Sequence, residues 1–259
     1  MLRKYGNIFD THAHYDDEKF DEDRDEFLSS LPSLGVANVI NCGCDLETCL
    51  KSIELAEKYD YFYCALGIHP SNITDNSENE CEKIREFYSH SKCVAVSEIG
   101  LEYHYDFVPK ETQLDFFEKQ LILANELKLP VIVHDREAHD DTMRLLKKYK
   151  PSGVVHCFSG SVEMAKEVLK LGMYIGLGGA VTFKNAKKPI EVAQYVPEDM
   201  LLLETDCPYM APVPYRGQRN SSDLIAFTAE KIAEVRNTEP QRLIDKTNAN
   251  AKYLFLRNL

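Results

Sequence analysis

The sequence predicts an α/β fold, a (β/α)8 barrel built as a single domain over residues 1–259, on three observations. Short apolar runs alternate with amphipathic stretches from end to end, the mark of βα units on a parallel sheet. The alternation runs eight times, with no low-complexity linker to divide it. The Gly-rich phosphate loop that an open, doubly wound sheet carries after its first strand is missing, and that place holds Thr11-His12-Ala13-His14. In chain order, strand 7–11 is followed by helix 20–31, strand 36–42 by helix 46–59, and strand 61–67 by helix 78–90. Strand 93–99 precedes helix 110–127, strand 131–134 precedes helix 139–149, and strand 153–158 precedes helix 162–171. The last two units are strand 173–178 with helix 187–195 and strand 200–206 with helix 223–235, after which a further helix is predicted over 240–256. Val131-Ile132-Val133 and Leu201-Leu202-Leu203 are continuous apolar runs, as strands buried on both faces require. Segments 71–80 and the Pro-rich 207–220 read as long βα loops, which a barrel places on its catalytic rim.

Composition narrows the functional classes. The chain carries 30 Lys+Arg against 42 Asp+Glu, a net charge of −12, which excludes coating of nucleic acid by bulk positive charge. The uncharged stretch 171–183 holds four glycines and is too short for a membrane span of about 20 helical residues. No apolar leader is read at Met1 to Gly6, so no signal peptide is expected. The eight cysteines, among them Cys42, Cys64, Cys93, Cys157 and Cys207, read as reduced core residues of a cytoplasmic protein. Cys42-Gly43-Cys44 with Cys49 lacks the second Cys pair or nearby His that would complete a zinc site.

The polar residues at the strand ends are more informative. His12 and His14 follow the first strand, His69 the third, Glu98 ends the fourth, His134 the fifth, His156 the sixth and Asp206 the eighth. A barrel brings those ends to one mouth. A lone strand-end histidine is ordinarily a hydrogen-bonded core residue, but a carboxylate closing an apolar strand is costly unless paired or metal-bound. Four histidines with two carboxylates exceed the three protein ligands of one catalytic zinc. Two metals sharing a carboxylate, about 3.5–4 Å apart, fit better. Glu98 is then the natural bridge and Asp206 the natural general base. Glu204 reads either as an acceptor orienting a ligand imidazole or as a core ion-pair residue.

Asp10-Thr11-His12-Ala13-His14, Gly67-Ile68-His69-Pro70, Glu98-Ile99-Gly100-Leu101, Pro130 to Arg136, His156 to Gly160 and Glu204 to Tyr209 together resemble the successive signatures of the TatD family of metal-dependent deoxyribonucleases. Arg216-Gly217 and Thr247 to Ala251 match as well. The resemblance implies a TIM barrel of the metallo-dependent hydrolase superfamily that hydrolyses DNA phosphodiesters, commonly as a 3'-5' exonuclease. It implies two divalent metals (Mg, Mn or Zn) on His12, His14, Glu98, His134, His156 and Asp206, with His69 and Arg136 near the substrate phosphate. This chain departs from the family at Glu102, where many members have Asp, and at Asn220-Ser221-Ser222, where Asn-Glu-Pro is usual.

The expected chemistry is attack of a metal-activated water on a phosphodiester, with Asp206 taking the proton. Arg136 and Arg216 are read as phosphate clamps, with a surface ion pair as the alternative for each. Ser159 lies in a segment whose backbone N–H groups can meet a phosphate, although Ser159 or Ser161 can equally serve as a helix N-cap. Tyr209 is read as stacking on a terminal base or packing in its loop. A monomer with DNA as substrate and no membrane partner is expected. Activity should fall below about pH 6 if unperturbed histidines are ligands. Much of the negative charge besides Glu98 and Asp206 should face away from the mouth. The rival readings are a hydrolase of the same fold acting on an ester, amide or aminoacyl-tRNA bond, and a binding protein with a closed structural metal site.

Overall fold

A computed structural model describes residues 5–257; residues 1–4, part of the segment read for a signal peptide, and residues 258–259 lie outside it. Eight strands form one all-parallel sheet in sequence order: β1 Ile8–Ala13, β2 Val36–Cys42, β3 Phe62–Leu66, β4 Cys93–Glu102, β5 Val131–Arg136, β6 Gly153–Val155, β7 Tyr174–Leu177 and β8 Leu201–Leu203. Around them lie α1 Arg24–Ser30, α2 Leu46–Lys58, α3 Ser77–Arg85, α4 Lys110–Leu127, α5 His139–Tyr149, α6 Val162–Lys170, α7 Lys187–Tyr195, α8 Ile225–Arg236 and α9 Pro240–Ala251. The (β/α)8 barrel expectation holds. No helix among the described residues is long and apolar enough to cross a membrane.

Alternate residues of each strand face opposite ways. Val131 and Val133 therefore join the layer between sheet and helices, while Ile132 fills the barrel interior with Phe9, Ile40, Val154 and Leu202. Leu254 and Phe255, just past α9, join this interior cluster and seal the end of the barrel away from the site. The same alternation sets His134 above Ile132 and His156 above Val154. The apolar column supports a polar floor.

The boundaries differ from the sequence prediction where the backbone turns. β6 ends at Val155 and β8 at Leu203, short of the predicted 158 and 206, because Cys157 and Asp206 adopt positive φ, 42° and 58°. β4 runs on to Glu102 because its last residues pair with β5, Glu102 opposite Arg136. The predicted helix 20–31 contains the short α1 between two 3-10 turns, and 78–90 divides into α3 and a 3-10 turn. Residues 71–80 are not loop throughout, since α3 begins at Ser77.

Closure between β1 and β8 is made largely by side chains. The backbone contributes Asp206 N–H to His12 O at 3.0 Å and His14 N–H to Cys207 O at 2.8 Å. Beneath these bonds the fully buried Asp10 carboxylate accepts from Thr205 N–H (3.0 Å), the Thr205 hydroxyl (2.6 Å) and the Ser222 hydroxyl (2.7 Å). Burial pushes the Asp10 carboxyl up to about 6, against the opposing pull of these hydrogen bonds. Ser222, at the departure from the family pattern, thus holds the seam. Asp10→Ala strands several buried donors and should cost about 3 kcal/mol, lowering Tm by about 5–10 °C for a chain of this size. An unchanged Tm in thermal unfolding would remove Asp10 from the closure.

Candidate metal centre

The strand ends bring six sequence-selected residues into one cluster. The Glu98 carboxylate lies at its centre, almost fully buried. Its Oε2 is 3.2 Å from His12 Nε2 and 3.5 Å from His14 Nε2. Those two nitrogens are 3.0 Å apart, and Asp206 Oδ1 lies 3.8 and 3.5 Å from them. On the other side, Glu98 Oε1 is 2.7 Å from His156 Nε2 and 2.8 Å from His134 Nδ1. Each oxygen of one carboxylate therefore serves a separate histidine pair.

The donor atoms suit cations. His14 Nδ1 lies 2.9 Å from the Cys42 carbonyl, which can only accept, so the neutral ring's proton sits on Nδ1 and Nε2 presents a bare lone pair. That lone pair faces His12 Nε2 and two carboxylate oxygens, an arrangement a positive ion would stabilise. His12, His14 and Asp206 form one group that could hold an ion, and Glu98 forms others with His12 and His156 and with His69 and His134.

Electrostatics differ around the cluster. Burial alone would raise the Glu98 carboxyl, but His156, His12 and His69 outweigh it and hold it well below the usual range. Burial carries His12 down to about 4, with His156 acting in the same direction. For His134 the hydrogen bonds to Glu102 and Glu98 overcome burial and push the ring up to about 9. The histidines thus do not share the single unperturbed titration assumed in the sequence reading. Burial would raise the Asp206 carboxyl too, yet it ends below its ordinary value through His14 and His12, which keeps it ionised.

His69 stands apart chemically. Its Nδ1 accepts from Ser71 N–H at 3.1 Å, so the neutral ring carries its proton on Nε2, 3.6 Å from Glu98 Oε1. Burial lowers this ring to about 3. It is a neutral donor aimed at the centre.

Three groups support the cluster; Glu102 and Cys44 were not legible as such, whereas for Glu204 the orienting role was one of the two readings of the sequence. Glu102 lies 3.2 Å from His134 Nε2 and orients that ring from behind. Its extra methylene relative to Asp is used for that reach. Glu204 packs behind His156, its Oε1 3.8 Å from His156 Nδ1, and accepts the Cys157 N–H. Gly176 makes room for it, since an added Cβ would stand 3.0 Å from Glu204 Cδ. Burial pushes Glu204 up to about 7. Cys44 Sγ reaches within 4.0 Å of Glu98 Oε2.

The cluster floors a cleft of about 980 Å³ whose walls include Arg136, Ser159 and Tyr209. Ser161, not Ser159, caps α6, accepting from Met164 N–H. Tyr209 donates its hydroxyl to Asp17, with Lys19 Nζ 4.0 Å from its ring centre. Arg216 is not brought to the cleft: its guanidinium stacks 3.7 Å from the Phe183 ring centre. All eight cysteines are free, but Cys44 and Cys157 line the cleft and Cys81 is half-buried, so the all-core reading fails for these three. Seven of the 42 carboxylates line the cleft against Lys51 and Arg136, so the mouth is acidic although most acidic residues lie elsewhere. Two divalent cations would cancel most of that excess.

A family model described as TatD related DNase matches residues 9–256. An uncharacterized metal-dependent hydrolase, YabD of Bacillus subtilis, is 41% identical over 254 residues, covering 97% of this chain and 100% of that protein. The 3'-5' ssDNA/RNA exonuclease TatD of Cronobacter sakazakii is 32% identical over 262 residues, covering 97% of this chain and 98% of that one. The crystal structure of YJJV, a TatD homolog from Escherichia coli K12, superposes with a TM-score of 0.89 at 34% identity, covering 96% of this chain and 98% of its own. The barrel, the converging strand-end histidines and carboxylates and these likenesses agree, and the chain belongs to the TatD family of metal-dependent hydrolases.

Proposed function

We propose that the chain is a deoxyribonuclease that hydrolyses DNA phosphodiester bonds 3'-5' from single strands or ends, with two divalent ions as cofactors. The observation that carries this reading is the central Glu98, one oxygen toward His12 and His14 and the other toward His134 and His156. When bound, Mg²⁺, Mn²⁺ or Zn²⁺ ions supply Lewis acidity that neutralises phosphoryl oxygens and acidifies water.

The chain's own residues supply the rest. Asp206, ionised and partly open to the cleft, takes the proton of the attacking water. His69 donates its Nε2 proton to a phosphate oxygen without adding a titrating charge. Arg136, 46% exposed at its side chain, offers a bidentate grip on a phosphate. Ser159 lies exposed on the rim where its hydroxyl can meet the backbone of the strand, and Tyr209 forms part of the same wall. The acidic cleft makes the cations necessary for binding a polyanion as well as for cleaving it. The exonuclease name of the Cronobacter relative supports the substrate class.

With end-labelled single-stranded DNA and Mn²⁺, the wild-type protein should shorten the label stepwise, and chelation should abolish both cleavage and binding. Glu98→Ala and Asp206→Asn should each reduce the rate by about 10²-fold or more. Undiminished cleavage by either variant would contradict its role. Turnover of aminoacyl, ester or amide substrates with intact DNA would favour the other same-fold chemistry.

Glu102→Ala should weaken metal affinity about 10–100-fold by freeing the His134 ring. Metal titration monitored by calorimetry checks this. Unaltered affinity would make Glu102 a bystander.

A further inference from the structure

Phe107 and Tyr105 are large apolar side chains with no structural reason to be on the surface. Phe107 is 70% exposed and Tyr105 43% exposed, yet both line the cleft that holds the candidate metal centre. Their rings are stacked, centroids 5.1 Å apart and only 11° from parallel. The Arg136 guanidinium lies 5.0 Å from the Tyr105 ring centre. One short segment after β4 thus presents two near-parallel, stacked rings on the wall of the cleft, beside the cation of Arg136 from β5.

The segment is anchored on both sides of these rings. Tyr103 N–H donates to Arg136 O at 2.9 Å, and the Tyr103 hydroxyl donates to Asp141 at 2.9 Å. His104 Nδ1 pairs with Glu137 at 2.8 Å. Beyond the rings, Val108 is buried and its carbonyl accepts from Gln113 Nε2 at 2.9 Å. The rings are therefore held out rather than left loose, so an occupant would not have to order the loop before stacking.

We propose that Phe107, backed by Tyr105, is a stacking platform for a nucleobase of a single-stranded nucleic acid whose backbone runs past Arg136 into the metal centre. The proposal rests on the reading of the cleft as a nucleic-acid site and specifies how it grips a strand. A flat apolar face beside a guanidinium matches a base joined to a phosphate, and every base offers a π-face, so the platform confers grip without sequence preference. A base paired and stacked within a duplex cannot lie on it. The platform therefore selects unpaired ends. Tyr209, the residue singled out in the sequence for stacking, is less open because Lys19 lies over its ring.

The test uses the full chain with Mn²⁺ and a hydrolysis-resistant phosphorothioate oligonucleotide carrying 2-aminopurine at its 3' end. Binding should quench the 2-aminopurine fluorescence. Phe107→Ala and Phe107→Leu should lose the quench and raise the KM for unmodified single-stranded DNA about tenfold with kcat unchanged, whereas Phe107→Trp should restore both. Phe107 is exposed, so these substitutions leave the fold intact. Binding and cleavage without a quench, or a KM equal in the Ala, Leu and Trp variants, would overturn the platform while leaving the nuclease reading in place. A Phe107-dependent quench without cleavage of unmodified DNA would uphold the platform and overturn the hydrolytic reading. No oligonucleotide binding would overturn both. Self-association that disappears in Phe107→Ala, with no quench in the wild type, would assign the rings to a second copy of the chain instead.

Discussion

One buried carboxylate sets the terms for the rest of the barrel mouth. Glu98 lies almost out of reach of water, where an unpaired charge would be prohibitively costly, and five imidazoles surround it. These histidines stabilise the carboxylate, and the carboxylate in turn fixes where their ring nitrogens point. The result is two groups of electron pairs joined through one residue. Without cations the same negative centre draws protons, at His14 and at His134, which also faces Glu102. A cation and a proton compete for the same place, and the cation wins only where donor geometry is set in advance.

That geometry depends on features distant from the chemistry. The histidines stand on alternate positions of strands whose lower residues form an apolar column capped by Leu254 and Phe255. The seam between β1 and β8 is the weak point of such a barrel, because His12 and His14 leave one side and Asp206 the other. Asp10, Thr205 and Ser222 tie it with buried hydrogen bonds, so closure and ligand placement are one structural problem. The cost of burying Asp10 is offset by bonds that only the closed barrel can make.

The fold was legible because the period of the apolar runs survives any uncertainty at their ends, and eight repeats leave few topologies. The centre was legible for a related reason: carboxylates and histidines that close apolar strands stand out against their neighbours, as Glu98 does after Val94-Ala95-Val96-Ser97. What escaped depended on backbone turns and long-range register. Cys157 takes positive φ although Cys seldom does, so nothing in residue type marked the strand end there, and at Asp206 the tolerance of Asp for that region is only a weak signal. Glu102 acquires its place behind His134 only because β4 continues along β5. Tyr105 and Phe107 sit in a loop without periodicity, where exposure, the feature that makes them notable, cannot be read from the chain. The acidity of the mouth likewise arises from residues such as Asp16, Asp17 and Asp135 that two distant segments bring together.

Glu98 is proposed to join two cation positions. Anomalous scattering from crystals equilibrated with Mn²⁺ tests it most directly. Two peaks about 3.5–4 Å apart are expected, one beside His12, His14 and Asp206 and the other beside His134 and His156, with Glu98 between them. A single peak at saturating Mn²⁺, or two peaks that do not share Glu98, would contradict it.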